Sequence, residues 1–530
     1  MSLQWQLSRE IPEDTASIGR AILKSENTYR QIGERFDELF PTETLFASMY
    51  ETTGRGAISP LLLALVTVFQ MLERLPDRVA AEYVIGRLDW KYALHLPLTY
   101  TGFHFTDLYH FRERLLEHGK ERWVFDQFLT QLKTLGLIKP RGQMRTDSTH
   151  LLAIVQRLSQ LELITETLRV ALRAVSTLAA AWVEQAIPPA FRDTYAERQS
   201  EFGLKDTQVQ PRLVQAGKDG FWFLAQVEQS APSAARQLPE VETLRTVLEQ
   251  QFPSGEGQPP TPKRPTGRDI VESPHEPEAR YGIKRGKGWL GYKTQVTETC
   301  DAEQPHFVVD VEVTSALAND SPELPNIQTR LQERDLLPSE QYVDQGYMSG
   351  DHMVASANLG INLMGKLLDD TQGPAGFRQA DFQINEATQQ ALCPAEQTST
   401  VWGERRTPPE RPPAIQIRFD GSACQVCAFF GKCTTSVHGR SLTLHPYRAI
   451  LQARRAEMQS ESFREKLHVR SGIEGTVSEL VRRHGFRCGR YRGQSKLRLQ
   501  AYFTAMAVDL KRLTSWWAQP RLYPTVAATG

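Results

Sequence analysis

The chain has 530 residues, of which 40% are hydrophobic and 23% charged, and its 62 Lys and Arg balance its 62 Asp and Glu. Such a length is too great for one core, so we expect several domains. The charge balance excludes binding to a polyanion through overall charge alone, and the absence of an apolar run of about 18 residues excludes a membrane helix. The first residues also lack the basic and apolar regions of a signal peptide, so we expect a cytoplasmic protein with no membrane partner.

Helical patterns dominate the first half of the chain. Residues 59–75 begin with Ser-Pro, which suits an N-cap and first turn, and continue with apolar residues at a helical period. Residues 106–119 repeat this form and end at a glycine. After a short strand pattern, "GQMRTDSTH", the helical period returns and runs to a Pro- and Gly-rich linker at residues 251–269.

Strand patterns begin at residue 289. Residues 289–299 and 307–316 alternate apolar and polar side chains and are separated by seven residues, which predicts a β-hairpin. A helix, a strand with Asp344 at its end, a short helix and a further strand near residue 361 follow. This order predicts a mixed α/β sheet.

Changes of period and composition predict the domain boundaries. The helical block after the strand that contains Asp147 has the form of an insertion, and so has the irregular block that contains most of the cysteines. The predicted parts are a helical N-terminal domain (1–140), the first core strand (141–150), a helical insertion with the linker (151–270), the main part of the core (271–369), the cysteine-containing insertion (370–446), the C-terminal core helices (447–515) and a tail (516–530).

Two tracts carry a local excess of basic residues on this neutral chain. Residues 464–513 hold twelve Lys or Arg against four Asp or Glu, and residues 280–293 hold five basic residues and no acid. Such tracts are typical of a phosphate-binding surface, although solvated helix and loop faces produce them as well.

Three acidic residues stand out by their context, namely Asp147 in "RTDSTH", Asp344 in "YVDQGY" and Glu474 in "RSGIEG". Two or three carboxylates that converge on hard cations about 4 Å apart can catalyse phosphoryl transfer. Central strands and one adjoining helix can supply such carboxylates. The three acids are therefore candidates for a two-metal site.

Glu474 lies at the start of a predicted helix, and its place on that helix can be read from the apolar stripe. We expect Glu474 at the margin of the buried face and Glu479 in solvent. The stripe consists of Ile473, Val477 and Leu480.

Two glycines flank this helix start. Glycine costs a helix about 1 kcal/mol relative to alanine, so Gly472 and Gly475 indicate that another group approaches closely. The alternative for Glu474 is a surface pair with Arg470 at i, i+4, worth about 0.3 kcal/mol. Spacing alone does not decide between the two interpretations.

Five motifs occur in order along the chain: "RTDSTH", "SPHEPEARYGIKRGKGWLGYK", "TETCD", "YVDQGY" and "RSGIEGTVSELVRRHGFRCGRYRGQSK". This combination resembles bacterial insertion-sequence transposases of the DDE class, in the group of insertion sequence eleven-eighty-two. The resemblance implies an α/β fold with an RNase H-like mixed-sheet catalytic core and a helical N-terminal domain (1–140) that binds DNA. It also implies a helical insertion after the first strand, a cysteine-containing insertion before the Glu474 helix, and a catalytic metal-binding triad of Asp147, Asp344 and Glu474.

The resemblance further implies a two-metal mechanism. Two Mg²⁺ ions, or Mn²⁺, held by the triad would activate water or a DNA 3′-hydroxyl and stabilise the leaving oxygen in an in-line displacement. Cleavage at the ends of the element and strand transfer would share this one site.

Two positions depart from the sequence pattern of the wider superfamily. Leu467 stands where that superfamily often has tyrosine, and Val481 where it has lysine, whereas Arg470 and Glu474 are in register. Three nearby basic residues are candidates for the missing phosphate contact: Arg482, Arg483 and Lys496.

The implied function is that of a transposase that binds terminal inverted repeats and target DNA. A homodimer in the synaptic complex is a further implication, as is a bacterial cytoplasmic location with nucleoid association during activity. Two alternatives stay open: a non-catalytic or domesticated DNA-binding protein, and a metal-dependent nuclease of the same fold. The three intact acids favour the transposase over the DNA-binding protein, and terminal inverted repeats around the gene would distinguish it from the nuclease.

The six cysteines do not predict a disulfide framework in a long chain that we expect to be cytoplasmic. Cys424, Cys427 and Cys433 have the spacing of a zinc knuckle. The resemblance adds Cys393 as the fourth ligand, with His438 as the alternative, and zinc with four protein ligands would be structural. Reduced thiols without metal are the other interpretation. Two further cysteines are expected to be packing residues: Cys300 and Cys488.

Both basic tracts supply candidate DNA contacts, because basic residues neutralise phosphates and aromatic residues stack on exposed bases. For Trp289 and Tyr292 the core of the sheet is an equal alternative, and we expect Tyr292 there. The candidates are Lys284, Arg285, Lys287, Trp289, Lys293, Arg470, Arg482, Arg483, Arg487, Arg490, Tyr491, Arg492 and Lys496.

Overall fold

A computed structural model of the chain describes residues 2–3, 6–40, 43–252, 261–263, 265–284, 286–368, 373–408 and 411–519. Residues 253–260 and 264 of the predicted linker, Arg285 and the greater part of the predicted tail lie outside these residues. The chain divides into two units. The first consists of Met1–Asn319, Thr329–Leu336 and Gly472–Gly530, and the second of Asp320–Gln328 and Leu337–Ser471.

The N-terminal part of the first unit is helical, as predicted. Its helices are α1 (Glu13–Ile22), α2 (Thr28–Glu34), α3 (Phe36–Leu39), α4 (Pro60–Glu73), α5 (Asp77–Gly86), α6 (Leu88–Ala93), α7 (Thr106–Glu117) and α8 (Trp123–Thr134), with a 3₁₀ helix at Glu43–Met49. The Ser59 hydroxyl accepts a hydrogen bond from the Leu62 N–H, and Pro60 opens α4, as the sequence predicts. Almost all of α4 is buried, so this helix belongs to the core.

The first predicted strand is confirmed as β1 (Gln143–Leu152). A series of helices follows it: α9 (Gln160–Leu178), α10 (Ala180–Ala186), α11 (Pro189–Thr194), α12 (Asp206–Ser230), α13 (Ser233–Arg236) and α14 (Pro239–Gln251). These helices bury a hydrophobic core of their own, which includes Leu168, Phe223 and Leu244. Their apolar faces therefore pack mainly on one another.

Three further strands complete the sheet of the first unit: β2 (Arg280–Lys284), β3 (Lys287–Thr299) and β4 (Val308–Ser315). β3 pairs antiparallel with β1, β2 and β4, which confirms the predicted β3–β4 hairpin. β2 was not predicted, because its basic residues obscure the strand pattern. Gln295, Val296 and Glu298 are all 0% exposed, so both faces of β3 are covered. The polar positions of the alternation are therefore buried as well as the apolar ones.

The division between the units falls within α15 (Glu323–Glu333). In the second unit, β5 (Glu340–Tyr342) and β6 (Asn362–Met364) pair in parallel, with α16 (Gly350–Asn358) between them in the chain. This arrangement confirms the predicted order of strand, short helix and strand. The buried Gln328 amide donates to Gln341 at 2.9 Å and to Ser356 at 2.8 Å, so it links α15 to β5 and α16.

The cysteine-containing part of the second unit has more regular structure than predicted. Its elements are the hairpin of β7 (Gln383–Asn385) and β8 (Gln390–Leu392), the antiparallel sheet of β9 (Val401–Arg405), β10 (Ala414–Arg418) and β11 (Ser441–Leu444), and the helices α17 (Gly421–Gln425), α18 (Arg448–Glu457) and α19 (Glu461–Leu467). A small core that includes Phe382, Ile417 and Leu444 lies beneath these strands. A 3₁₀ helix at His468–Ser471 ends this unit.

The chain returns to the first unit with α20 (Gly472–Arg482) and α21 (Gln494–Trp517). Most of α21 is buried, and it packs on β4 and α4. The described part of the chain contains no helix with the length and apolar character needed to cross a bilayer. The mixed α/β architecture with a helical N-terminal region agrees with the expected fold class, and the RNase H-like core stays a prediction.

Candidate active site

Asp147 lies in the middle of β1, where strand pairing fixes the backbone. Its Cα is opposite Val296 of β3, and its carboxylate accepts a hydrogen bond from the Ser148 N–H at 2.7 Å. Its neighbours Thr146 and Ser148 are buried, whereas Asp147 itself is half-buried. A carboxylate on a paired strand has little positional freedom, which is what metal ligation requires.

Glu474 lies in the first turn of α20, and this helix packs on β1. Ile473 and Leu480 are buried on the inner face of α20, while Glu474 is exposed. A Cβ at Gly472 would overlap the Arg145 guanidinium, so the glycine allows a close approach to β1. A Cβ at Gly475 would meet no described atom within 4 Å. The predicted close approach is therefore confirmed for Gly472 alone.

Two arginines beneath α20 share one carboxylate, and we call them the buried arginine pair. Arg145 of β1 and Arg512 of α21 lie 2.6 and 2.8 Å from the carboxylate oxygens of Glu298, which is 0% exposed. Glu298 also accepts a hydrogen bond from the Thr476 hydroxyl at 2.5 Å. The network links α20 and α21 to the sheet and so fixes the helix that carries Glu474.

Glu479 belongs to the same network. Its carboxylate lies 2.8 Å from the Arg512 guanidinium, and only 21% of its side chain is exposed. The prediction that Glu479 faces solvent is therefore wrong, because α21 supplies a cation on this side of α20. No local pattern could have shown this, since the bonded residues lie 33 positions apart for Glu479 and 214 apart for Glu298.

A basic cleft of about 430 Å³ runs beside α20. Its lining includes Arg145, His306, Arg483, Lys511 and Arg512. Burial and the neighbouring Arg145 guanidinium lower the pKa of His306, so this imidazole is neutral at pH 7. The positive charge of the cleft therefore comes mainly from Arg483 and Lys511, because Arg145 and Arg512 are paired with buried or half-buried carboxylates.

Asp344 belongs to the second unit and lies two residues beyond the end of β5. It caps the 3₁₀ turn Gln345–Tyr347, and its carboxylate accepts a hydrogen bond from the Gln345 N–H at 2.7 Å. The side chain is exposed. Asp147 and Glu474 thus share the first unit, and Asp344 lies in the second.

Across the described ranges, no group of three or more His, Cys, Asp or Glu side chains is arranged to hold a metal ion. The donor type still suits a hard divalent cation, because carboxylate oxygens are the ligands that Mg²⁺ prefers.

The cysteines of the predicted zinc knuckle share one small cavity. Cys393, Cys424, Cys427 and Cys433 all line it, and its volume of about 30 Å³ has room for one water-sized particle. Burial raises the pKa of the Cys433 thiol, and the three neighbouring thiols add to this shift. His438 is exposed and does not line the cavity, so the cavity favours Cys393 as the fourth thiol.

The other two cysteines differ from each other. Cys300 is buried, as expected of a packing residue. Cys488 is exposed, so the packing prediction is wrong for it. The backbone of Cys488 forms a parallel bridge with Leu152 at the end of β1, which leaves its side chain at the surface.

The aromatic candidates for DNA contact are packed within the first unit. Trp289 is 8% exposed, and its indole N–H donates to the Tyr292 carbonyl at 3.2 Å. Tyr292 is 0% exposed, which confirms its predicted core position. The Arg112 guanidinium lies 5.0 Å from the centre of the Tyr491 ring, whose hydroxyl is buried. Burial thus favours the core interpretation of Trp289 over base stacking.

The basic candidates fall into two groups. Some donate within the first unit: Lys293 to the Ala318 carbonyl, Arg487 to the His150 carbonyl, Arg490 to the Leu75 carbonyl and Lys496 to the Glu113 carboxylate. Others are exposed: Lys284, Lys287, Arg482, Arg483 and Arg492. Arg470 is half-buried in the 3₁₀ helix that precedes α20, and Arg285 lies outside the described residues.

Two family models match parts of the chain. A transposase DDE domain matches residues 392–514, and a transposase domain, DUF772, matches residues 17–114. The first match includes Glu474 and begins after Asp147 and Asp344. Comparison with curated proteins and with solved structures gave no match. The two matches support a DDE-type transposase, a class of metal-dependent enzymes that cleave DNA and transfer its strands.

Proposed function

We propose that the chain is the transposase of a bacterial insertion sequence of the eleven-eighty-two group. It binds the terminal inverted repeats of that element, cleaves DNA there and joins the ends to target DNA. The observation that carries this proposal is the match of residues 392–514 to a transposase DDE domain, since that match includes Glu474. The second match, at residues 17–114, supports an N-terminal domain that serves the same reaction.

In this proposal Asp147, Asp344 and Glu474 form the catalytic triad and hold two Mg²⁺ ions, with Mn²⁺ as a substitute. Asp147 is fixed by strand pairing, and Glu474 by the network beneath α20. Asp344 caps a tight turn directly after a strand. When bound, two divalent cations supply an activated nucleophile and stabilise the leaving oxygen of a phosphodiester.

The exposed basic residues are the proposed contacts to DNA phosphates. Lys284 and Lys287 flank the turn between β2 and β3, and Arg482 and Arg483 end α20. Lys496 is paired with Glu113, so we assign the role of the absent lysine at Val481 to Arg482 and Arg483. The enzyme would act in the bacterial cytoplasm on nucleoid DNA, as a homodimer that brings two ends of the element together.

We also propose a structural zinc ion at Cys393, Cys424, Cys427 and Cys433. The shared cavity and the thiol donor set support it, because Zn²⁺ prefers four sulfur or nitrogen ligands in structural sites. Four protein ligands leave no open position, so this zinc would stabilise the fold and take no part in the reaction.

Cleavage and strand transfer on terminal-repeat DNA with Mg²⁺ test the triad. We expect Asp147→Asn, Asp344→Asn and Glu474→Gln each to lower the rate by about a thousandfold, because each removes a charged ligand worth several kcal/mol. Glu465→Gln, at an exposed acid of α19, is the matched control and should keep the parent rate. Parent-like rates in all three triad variants would show that the assignment is wrong.

Metal analysis of the purified protein tests the zinc site. We expect about one zinc per chain in the parent and loss of that zinc in Cys424→Ser. Cys488→Ser removes an exposed cysteine outside the cavity and should keep the metal. A parent chain without zinc would refute the site.

A further inference from the structure

A second basic cleft lies wholly within the second unit. Its volume is about 470 Å³, and residues 405–408 and 411, the end of β11 and one side of α18 contribute to its walls. No aspartate or glutamate is among the described residues that line it. Five arginines line this cleft, which we call the arginine cleft. They are Arg405, Arg406, Arg411, Arg448 and Arg455.

Two of these arginines are held by acids from outside the lining. The Arg411 Nε lies 2.9 Å from an Asp351 carboxylate oxygen, and an Arg448 Nη lies 2.7 Å from Glu386. Arg411 also contacts the His445 Nε2 at 2.5 Å. These contacts fix two guanidiniums in the wall, so less side-chain entropy is lost when a ligand binds them.

The side chains of the other three arginines have no such partner among the described residues. Arg405 and Arg406 are exposed and Arg455 is half-buried, and none of the three guanidiniums makes a hydrogen bond or ion pair with a described residue. Like charges that face one cleft repel each other and raise the local positive potential. A polyanion in the cleft would relieve this repulsion.

His445 does not change the charge of the cleft near neutral pH. Burial and the neighbouring Arg411 lower the pKa of its imidazole, which is therefore neutral at pH 7. Arginine stays protonated throughout the physiological range. The positive charge of the cleft is thus permanent.

We propose that the arginine cleft binds the phosphate backbone of double-stranded DNA. The arginine fork matches phosphate oxygens in a bidentate way, and phosphate contacts position a duplex without reading its sequence. No Phe, Tyr or Trp is among the described residues that line the cleft, which disfavours the stacked bases of a single strand. The proposal rests on the proposed function and adds a second DNA-holding surface, outside the triad and the two basic tracts.

The test is a binding titration of the full-length chain in metal-free buffer, so that no cleavage occurs. The probes are a labelled terminal-repeat duplex and a duplex of unrelated sequence, each at several salt concentrations. We expect the triple variant Arg405→Ala, Arg406→Ala, Arg455→Ala to bind both duplexes at least about tenfold more weakly. The slope of log affinity against log salt should also become shallower by about 2 to 3, because three phosphate contacts are removed.

A matched triple variant controls for net charge. Arg418→Ala, Lys432→Ala and Arg464→Ala remove three exposed cations of the same unit outside the cleft and should retain parent-like affinity and slope. Replacement of the three cleft arginines by lysine keeps the charge and should keep the slope. An equal loss in both alanine variants would overturn the inference, as would a cleft variant with the parent slope.

The outcomes separate this inference from the proposed function. If the parent cleaves terminal-repeat DNA while the cleft variant binds as tightly as the parent, only the inference fails. If the parent binds duplex DNA through the cleft but the triad variants cleave like the parent, only the catalytic assignment fails. A parent chain that binds neither duplex refutes both.

Discussion

The buried arginine pair and the arginine cleft place the same type of side chain, arginine, in opposite surroundings. In the first unit, Arg145 and Arg512 share Glu298, and Arg512 also pairs with Glu479, so their charge is neutralised inside the fold. In the second unit, Arg406 and its neighbours face a cleft whose described lining contains no acid. The difference shows that the surroundings of a guanidinium decide whether it stabilises the fold or remains available to a ligand.

The largest effect on stability should follow from removing the shared carboxylate of the buried arginine pair. Glu298→Gln keeps the shape of the side chain but deletes the negative charge between two guanidiniums. We expect a loss of about 3 to 5 kcal/mol in the free energy of unfolding. Urea unfolding followed by circular dichroism measures it.

Glu303→Gln is the control, because Glu303 is an exposed acid in the β3–β4 connection. This control should change stability by no more than about 0.5 kcal/mol. If the two variants unfold alike, the network does not hold α20 on the sheet.

The two glycines of α20 test the packing of this helix on the buried arginine pair, with a smaller expected change in stability. In Gly472→Ala the new methyl group would overlap the Arg145 guanidinium, so we expect a loss of about 1 to 3 kcal/mol as the pair shifts. Gly475→Ala meets open space on the same helix and should gain up to about 1 kcal/mol. Thermal unfolding compares the two, and stabilisation by both would contradict the close approach of Arg145.

Asp509, which lies near the buried pair, gives a dependence on pH. Burial raises the pKa of its carboxyl well above the ordinary value. The stability that the protonated form provides is complete below the unfolded pKa of about 3.9 and is lost as pH rises through the folded pKa. Asp509→Asn has no proton to lose, so its stability relative to the parent should increase with pH.

Unfolding midpoints at several pH values between about 2 and 8 test the Asp509 prediction. Asp335 serves as the opposite control, because its hydrogen bond to Lys133 lowers its pKa. Its contribution is fully present above the unfolded pKa of about 3.9 and is lost as pH falls below that value, so Asp335→Asn should lose stability relative to the parent as pH rises to about 4 and then stay level. Parallel pH profiles for the two variants would refute both assignments.

The smallest expected effect on stability lies in the arginine cleft. Arg406 is exposed and has no partner among the described residues, so Arg406→Ala should change the free energy of unfolding by no more than about 0.5 kcal/mol. Arg512→Ala, which removes a cation from the buried pair, should unfold the first unit at a clearly lower temperature. Equal melting temperatures for the two variants would show that the buried arginine pair and the arginine cleft do not differ in their contribution to stability.

The sequence predicts elements where the pattern is long and regular. The buried α4 with its Ser59 cap and the β3–β4 hairpin were both predicted, because each has several periods of one pattern. β2 and the strands of the cysteine-containing part were missed. All of these strands have three to five residues, which is too short for an alternation to stand out from turns.

The candidate site was predictable only in part. Asp147, Asp344 and Glu474 are marked by motifs that resemble a known family, whereas Arg145 and Glu298 carry no motif and meet through the fold. The density of basic residues was also misleading, since Arg487 and Arg490 of the C-terminal tract donate to carbonyls within the first unit. The arginine cleft, by contrast, draws its members from separate segments and forms no tract.

The first unit also constrains how the protein can be made. Its sheet comes from residues before Asn319, and the helices that cover it come after Gly472. The Val308 N–H, for example, donates to Asp509, 201 residues later. At about 5 to 20 residues per second, a ribosome needs roughly 10 to 40 s to supply that partner. A truncated chain therefore cannot complete its first unit. Active protein can form only after the last helix has been translated.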